Sequence, residues 1–260
     1  MTEIKSSLYA LNMKVFLINL KRSPDRLLFM KSQLNALRLD YEIIEAIDGT
    51  DPDFPEFIRD IPLLPYETDW DGQKRELLNT EIACALSHQI VYNRMVEQGV
   101  PISLVLEDDV LLNPRIRDWI LHFENSCPKL KDIEILNLMS DSPGKIVLPP
   151  LFRNSFLFSF LQMPNRAGAY FLTLSAARKL TKNFYPIRMP ADDLLGRFEL
   201  TGINGLGVFP EPARQGRLAS TINLEGEMKK SFDFADWKRR ITKVRGFSRL
   251  KKEIVNIKYE

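Results

Sequence analysis

The sequence predicts an α/β protein built on a mostly parallel sheet, and three observations predict it. Short apolar runs alternate with segments of helical periodicity. The first run, helix and run follow closely enough to make a parallel strand, helix, strand unit. Several runs also end in polar or acidic residues, and in such a sheet these collect in a crevice beyond the carboxyl ends of the strands.

In chain order, "MKVFLINL" (Met13 to Leu20) reads as a buried strand, and Ser23 before Pro24 gives an N-cap with proline at the first helical position. Leu27, Met30, Leu34 and Leu37 then recur on one helical face, and "YEIIEAI" (Tyr41 to Ile47) supplies a second strand closed by Asp48 and Gly49. "DPDFPEFIRDIPLLPYETDWDG" holds too many prolines for regular structure and is expected to be a long ordered loop of the sort that covers a site. A helix resumes at Thr80, runs through "EIACALSHQIVYNRMVEQ" and stops at Gly99. Next comes "PISLVLEDDVLL", an apolar strand that delivers Glu107, Asp108 and Asp109 at its end. Asn113 and Pro114 open another helix. "IEILNLM" (Ile133 to Met139) is a strand with Asp141 beyond it, "AGAYFLTL" (Ala167 to Leu174) is a strand, Ser175 caps the helix "AARKLTKNF", and "PADDLLGRFEL" opens a helix at Pro190.

A chain of 260 residues, 45% of them hydrophobic, suits one large domain or a domain with an appendage. No apolar run is long enough to span a bilayer, and "MTEIKSSLYALNMK" lacks the layout of a secretory signal, so the chain is read as cytoplasmic. Cys84 and Cys127 alone cannot make a disulfide framework. With His88 and His122 the only histidines, a bound metal would be held mainly by oxygen. The net charge of +2 hides an asymmetry: Glu227 to Glu260 holds 11 Lys or Arg against 5 Asp or Glu, +6, which leaves −4 for the rest. That basic tail interleaves Phe232, Phe234, Trp237, Phe247 and Tyr259. It suits an anionic membrane surface as well as it suits a solvated helix packed on the body, although basic aromatic tails also bind nucleic acid.

In extended backbone Glu107 and Asp109 share a face and Asp108 takes the other. Two carboxylates on one side can hold Mg²⁺ or Mn²⁺ and leave positions for phosphate oxygens. An isolated Glu-Asp-Asp serves equally as an acidic turn before a helix, and its place after a buried strand is what favours a cation. Neither GxxxxGK nor GxGxxG is present, which argues against a P-loop kinase or a dinucleotide oxidoreductase. Arg22 and Arg26 in "NLKRSPDR" flank a helix N-terminus and could cradle phosphate, or be plain surface arginines.

"VFLINLKRSPDR", "EAIDG", "EIACALSH", "VLEDDVLL" and "RAGAYFLTLSAARKL", in this order, resemble glycosyltransferase family 25, the bacterial lipooligosaccharide and lipopolysaccharide galactosyltransferase group to which the collagen galactosyltransferases are related. The resemblance runs from about Val15 to Ile222. It implies a GT-A-like, Rossmann-type domain over 13–222, with 223–260 as the basic appendage. It also implies a UDP-sugar donor, most often UDP-galactose, a divalent cation (Mn²⁺ or Mg²⁺), and transfer with inversion. Carried over by position, Asp109 would bind the metal, and Glu107 the ribose or metal-bound water, so both are metal candidates. The nucleotide-sugar candidates are Asn19, Leu20, Arg22, Asp48, Gly49, Glu81, Ser87, His88, Glu107 and Asp108. Thr80 and Ala83 stand where the family carries glycines, and Cys84 is expected to pack in the core.

"PADDLL" resembles the element that follows the "GAYFLT" strand in this family. An inverting transfer needs a general base for the acceptor hydroxyl, and Asp192 is the first candidate and Asp193 the second. Both also suit the positive N-terminus of the helix they begin. His88, outside the family pattern, would read as a hydrogen-bonded core residue. "PARQGRLASTI" resembles the family's closing segment, with the polar pair Ser220 and Thr221, and Arg214, Gln215 and Arg217 could reach the diphosphate.

The expected acceptor is a lipooligosaccharide or lipopolysaccharide saccharide, with the enzyme peripheral on the inner face of the bacterial cytoplasmic membrane and no nucleic acid partner. Competing readings keep the fold with UDP-glucose, UDP-N-acetylglucosamine or a protein hydroxylysine, or make the chain a metal-dependent phosphohydrolase or a non-catalytic nucleotide-binding module.

Overall fold

The computed structural model describes residues 13–66, 74–114, 116–126, 133–139, 144–152, 155–160, 166–209 and 211–216. The tail expected over 223–260 lies outside the described residues, as do Asp141, Arg217, Ser220 and Thr221.

The elements run β1 (Lys14–Leu20), α1 (Pro24–Ala36), β2 (Tyr41–Ala46), α2 (Phe54–Phe57), α3 (Asn79–Gln98), β3 (Ile102–Glu107), β4 (Val110–Leu112), α4 (Ile116–Ser126), β5 (Ile135–Asn137), β6 (Gly144–Phe152), β7 (Ser155–Phe160), β8 (Ala169–Thr173), α5 (Leu174–Asn183), α6 (Ala191–Gly196), α7 (Phe198–Thr201), β9 (Gly205–Phe209) and β10 (Ala213–Gln215). Eight strands form one sheet in the order β2-β1-β3-β8-β5-β9-β7-β6. β2, β1, β3, β5, β9 and β6 run one way, with β8 and β7 reversed, so the sheet is mostly parallel. β4 and β10 make a separate antiparallel pair.

Both faces of the sheet are covered, which is why its central strands read as nearly continuous apolar runs. On one face Phe16, Ile18, Val105, Tyr170 and Leu172 pack with Ile82, Leu86, Tyr92 and Met95 of α3 and with Ala176 and Leu180 of α5. On the other, Val15, Leu17, Leu104, Leu106 and Phe171 pack with Met30 and Leu34 of α1 and Ile116, Ile120 and Phe123 of α4. Each such side chain contributes roughly 1.5–3 kcal/mol on burial, so a one-residue register slip in β1 or β3 would still meet a core on either face. The ladder itself fixes the register: Ile18 lies opposite Glu107, and Leu20 opposite Ala46. The carboxyl ends of β1, β2 and β3 therefore form one rim. β8 joins it from the opposite direction, with Gly168 O accepting from Glu107 N at 2.8 Å.

Several local expectations change in detail. Ser23 occupies the N-cap of α1, yet its side chain makes no capping bond. α5 is capped by Thr173, whose Oγ1 accepts from Ala176 N, while Ser175 sits inside the helix and donates to Glu134. The Pro-rich loop contains a short helix, α2, because Pro55 falls at its N-terminal turn, where no amide donor is needed. β5 is shorter than "IEILNLM", since Met139 N turns back to Asn137 Oδ1 and takes the chain off the ladder. The helix expected from Pro190 breaks at Arg197 into α6 and α7. The β6 and β7 hairpin has no counterpart in the sequence reading. Pro149 and Pro150 argue against a strand there, and the fold accommodates them by placing β6 at the sheet edge with register shifts in the pairing.

Candidate functional site

β3 ends at Glu107, and Asp108 and Asp109 turn the chain into β4, so three consecutive acids project from one strand tip. Two cavities meet there. The larger, about 380 Å³, is lined by Tyr66, Arg75, Glu81, Cys84, Glu107, Asp109, Arg166, Asp192, Asp193 and Gln215, among others. The smaller, about 150 Å³, has the apolar residues Ile18, Leu20, Ala46 and Ile47, with Arg22, Arg26, Asp48, Gly49, Ser87, His88 and the three acids around them. Glu107 and Asp109 line both cavities, while Asp108 lines only the smaller, in keeping with the alternation expected at a strand end.

The three acids have different partners. Asp108 is buried and satisfied: Asn19 Nδ2 donates to its Oδ2 at 2.7 Å, and Arg26 Nη1 to its Oδ1 at 3.0 Å. Asn19 thus positions Asp108 and lines neither cavity. Asp109 Oδ2 accepts from Gln215 Nε2 at 2.8 Å, and Arg26 stands 3.9 Å away. Its other oxygen, Oδ1, is buried without a hydrogen-bond partner. Burial pushes the Asp109 carboxyl above the usual aspartate range; the Gln215 bond opposes this and the Glu107 charge adds to it. Glu107 Oε1 meets His88 Nε2 at 3.1 Å.

A buried carboxylate oxygen that no donor satisfies is costly, and it is the ligand type a hard cation takes. Asp109 Oδ1, with Glu107 beside it on the same cavity wall, fits Mn²⁺ or Mg²⁺ in that respect.

Across the larger cavity, α6 begins at Ala191 and carries the two candidate bases on its first turn. Asp192 Oδ1 accepts from Asp193 N at 3.0 Å. Burial pushes its carboxyl up, that backbone bond pulls it down, and the Glu107 charge raises it further. Asp193 is turned inward. It accepts a short hydrogen bond from the Tyr66 hydroxyl, and burial raises its carboxyl against the opposing Arg197 charge.

The remaining candidates divide into wall and scaffold. Arg22 pairs with Asp48, which also accepts from Thr50 N and Oγ1, and these bonds bring the Asp48 carboxyl down to about 2. Ser87 Oγ accepts from Ile47 N at 2.9 Å and donates to Ala83 O at 2.7 Å, tying the end of β2 to α3. Gly49 makes the same junction possible, because a Cβ there would lie 2.4 Å from Asn79 O. Glu81 Oε2 accepts from Leu78 N as a helix-start cap, and both its oxygens take Arg75 in a bidentate pair at 2.6 and 2.8 Å. His88 is fully buried, and burial disfavours its cation, while Cys84 and Glu107 favour it more strongly and hold its pKa up to about 10; Nδ1 lies 2.8 Å from Tyr170 Oη. Cys84 departs from expectation: it is exposed, because its side of α3 looks into the larger cavity and away from the core.

Sequence reasoning missed Tyr66, Arg75 and Arg166. Asn137 Nδ2 donates to Arg166 O and Asn137 Oδ1 accepts from Met139 N, so one buried amide holds two pieces of cavity wall. The Arg75 guanidinium lies 5.1 Å over the Tyr66 ring, and the two residues pair backbone to backbone. Gln215, which on sequence could reach the diphosphate, donates to Asp109. Among the described residues, no helix is long and apolar enough to cross a membrane.

Comparison with known proteins finds similar sequences. A family model described as "Glycosyltransferase family 25 (LPS biosynthesis protein)" matches residues 12–195. The Xenopus laevis protein named procollagen galactosyltransferase 1-B is 36% identical over 202 residues, covering 70% of this chain and 30% of that one. The Homo sapiens protein named inactive glycosyltransferase 25 family member 3 is 31% identical over 194 residues, covering 70% and 31%. The chain thus spans about a third of the length of these relatives. Among solved structures, a glycosyltransferase involved in glycosylation of the major capsid of PBCV-1 aligns with TM-score 0.39 at 10% identity, over 75% of this chain and 81% of that one. The galactosyltransferase LgtC in complex with donor and acceptor sugar analogs aligns with TM-score 0.36 at 12% identity, over 88% and 100%.

Proposed function

The chain belongs to glycosyltransferase family 25, and we propose that it transfers a hexose, galactose from UDP-galactose, with inversion onto the saccharide of a bacterial lipooligosaccharide or lipopolysaccharide. The observation that carries this reading is the opposition, across one cavity, of the acid-tipped β3 and the two aspartates that open α6. The family's description and the galactosyltransferase names of its relatives support the choice of sugar and acceptor.

In this reading the nucleoside occupies the smaller cavity, over Leu20 and Ala46, with Arg22 and Arg26 on the phosphate side. Gln215 and Arg26 hold Asp109 so that Oδ1 stays available. A divalent cation, Mn²⁺ or Mg²⁺, held by Asp109 and Glu107 would neutralise charge on the departing UDP. Asp192 takes the proton of the acceptor hydroxyl as it attacks the anomeric carbon from the face opposite UDP. Its raised pKa makes it a better base than a solvated aspartate, provided it is ionised at the working pH. Asp193, held by Tyr66, fixes the turn that aims Asp192. Residues 223–260 hold the enzyme on the inner face of the cytoplasmic membrane, where such an acceptor is anchored, through basic and aromatic side chains.

The test is a donor screen with the purified chain, following UDP release and sugar transfer to truncated lipooligosaccharide with Mn²⁺ or with EDTA. Transfer from UDP-galactose that EDTA abolishes, and that Asp109→Ala and Asp192→Ala both lose while Asp192→Ala still binds UDP, is the expected result. Turnover of UDP-glucose or UDP-N-acetylglucosamine in its place overturns the donor, and UDP binding without turnover of any sugar overturns the enzyme. Unchanged liposome binding after deletion from Glu227 overturns the membrane role.

A further inference from the structure

Cys84 and His88 stand one turn apart on α3, so both side chains face the tip of β3. One ligand atom each from Cys84, His88 and Glu107 lies within 4.8 Å of the other two. We propose that Cys84 Sγ, His88 Nε2 and a Glu107 carboxylate oxygen form a site for a soft divalent transition cation, Zn²⁺. It differs in chemistry from the all-oxygen pair Asp109 and Glu107, and shares Glu107 with it.

The ligand set selects the ion. Thiolate and imidazole favour zinc over Mg²⁺ or Mn²⁺, which prefer carboxylate and water. With zinc to sulfur at about 2.3 Å and zinc to nitrogen at about 2.0 Å, neighbouring ligand atoms of a tetrahedral site sit roughly 3.3–3.7 Å apart. His88 Nε2 and Glu107 Oε1 already stand at 3.1 Å. The remaining closure falls to Cys84, which is exposed and turns about a single side-chain bond.

The surroundings of His88 are those of a metal-binding imidazole. The ring is buried, and its other nitrogen, Nδ1, is 2.8 Å from Tyr170 Oη, which in turn is 3.3 Å from Tyr92 Oη. That chain fixes the ring's orientation and, when Nε2 binds metal, the tautomer with the proton on Nδ1. Both tyrosines are fully buried, so the relay is rigid. All three ligands line the smaller cavity, and Cys84 and Glu107 line the larger as well, so a tetrahedral ion held by them has open space for a fourth ligand.

Occupation withdraws Glu107 from the hard-cation pair, so Zn²⁺ inhibits where Mn²⁺ activates. The inhibition rests on the glycosyltransferase reading of Glu107; the binding does not.

The binding test uses metal-free protein of full length, titrated with Co²⁺ as a spectroscopic stand-in for zinc and then with Zn²⁺. One equivalent of Co²⁺ is expected to raise the near-ultraviolet charge-transfer band of a cobalt–thiolate bond, and Zn²⁺ to bleach it. Cys84→Ser, a small change at an exposed position, is expected to abolish the band and weaken zinc binding against a chromophoric chelator by at least about tenfold. No band in the wild type overturns the site, as does a band or zinc affinity that survives Cys84→Ser. Separately, Zn²⁺ added to Mn²⁺-supported turnover is expected to inhibit the wild type more than Cys84→Ser, and equal inhibition of the two overturns the regulatory part alone. A protein that binds Zn²⁺ through Cys84 yet turns over no UDP-sugar upholds the site and overturns the enzymatic reading.

Discussion

In the smaller cavity Asp48 is held by Arg22 and Thr50, and its carboxyl is drawn down to about 2. In the larger, burial pushes Asp109, Asp192 and Asp193 up. The same residue type is stabilised as an anion in one setting and disfavoured as one in the other. In the wall of the smaller cavity Arg22, Asp48 and Asp108 are paired before any ligand arrives, which suits positioning. Asp109, in the wall of both cavities, keeps an unsatisfied oxygen, which suits binding a cation, and Asp192, in the larger, has a raised pKa that suits moving a proton.

The sharpest way to break this contrast is at Asp192. Asp192→Asn keeps the shape of the first turn of α6 and removes the base. Transfer is expected to fall by about 10²-fold or more with UDP affinity unchanged, read by sugar transfer and by calorimetry. An equal fall in UDP affinity would move Asp192 to the donor side.

Asp109→Asn separates stability from activity. A carboxyl with a raised pKa binds more protons folded than unfolded, so it erodes stability as pH rises from the usual aspartate value through its folded value. The variant is therefore expected to lose metal-dependent donor binding yet gain stability at pH 7, by on the order of 1 kcal/mol. The gain should disappear as the pH is brought below about 4. Urea unfolding across pH checks this, and a loss of stability at neutral pH would show that Asp109 is better satisfied than its geometry says.

Gly49→Ala attacks the paired side. A Cβ 2.4 Å from Asn79 O cannot be accommodated without moving α3 from the end of β2, and a cost of about 1–3 kcal/mol is expected, with weaker UDP binding. Both are read by urea midpoint and calorimetry, and an unchanged midpoint would mean that the junction yields freely.

The smallest effect is at Asp48, whose depressed pKa has the opposite sign. Its contribution is complete above the usual aspartate value and is lost as the pH falls toward about 2. Asp48→Asn should be slightly less stable than wild type at pH 7, the two converging as the pH approaches 2. Parallel curves across that range would remove the Arg22 pair as the cause.

Much of this was legible in the sequence. The strand, helix, strand start, the long α3 and the acid-tipped β3 follow from apolar period and stop signals, because each is a property of neighbouring residues. The carboxylates at 107–109 stood out for the same reason, whereas those at 192–193 were singled out by the family resemblance of "PADDLL". The rest depends on partners far along the chain. Tyr66 meets Asp193 and Asp109 meets Gln215 across 127 and 106 positions, distances at which no local pattern carries information. Cys84 was misread because helical spacing says which residues share a face, not whether that face looks on core or cavity. The hairpin of β6 and β7 escaped because paired prolines signal against a strand unless its place at a sheet edge is known.

β10 ends at Gln215, whose side chain grips Asp109, and Gly216 N donates to Asp109 O at 2.6 Å. Side chain and backbone of one short stretch thus fasten two points of the same residue, so the aim of the Asp109 carboxylate depends on where the chain at Gln215 and Gly216 lies, and a shift there would turn that carboxylate without touching β3.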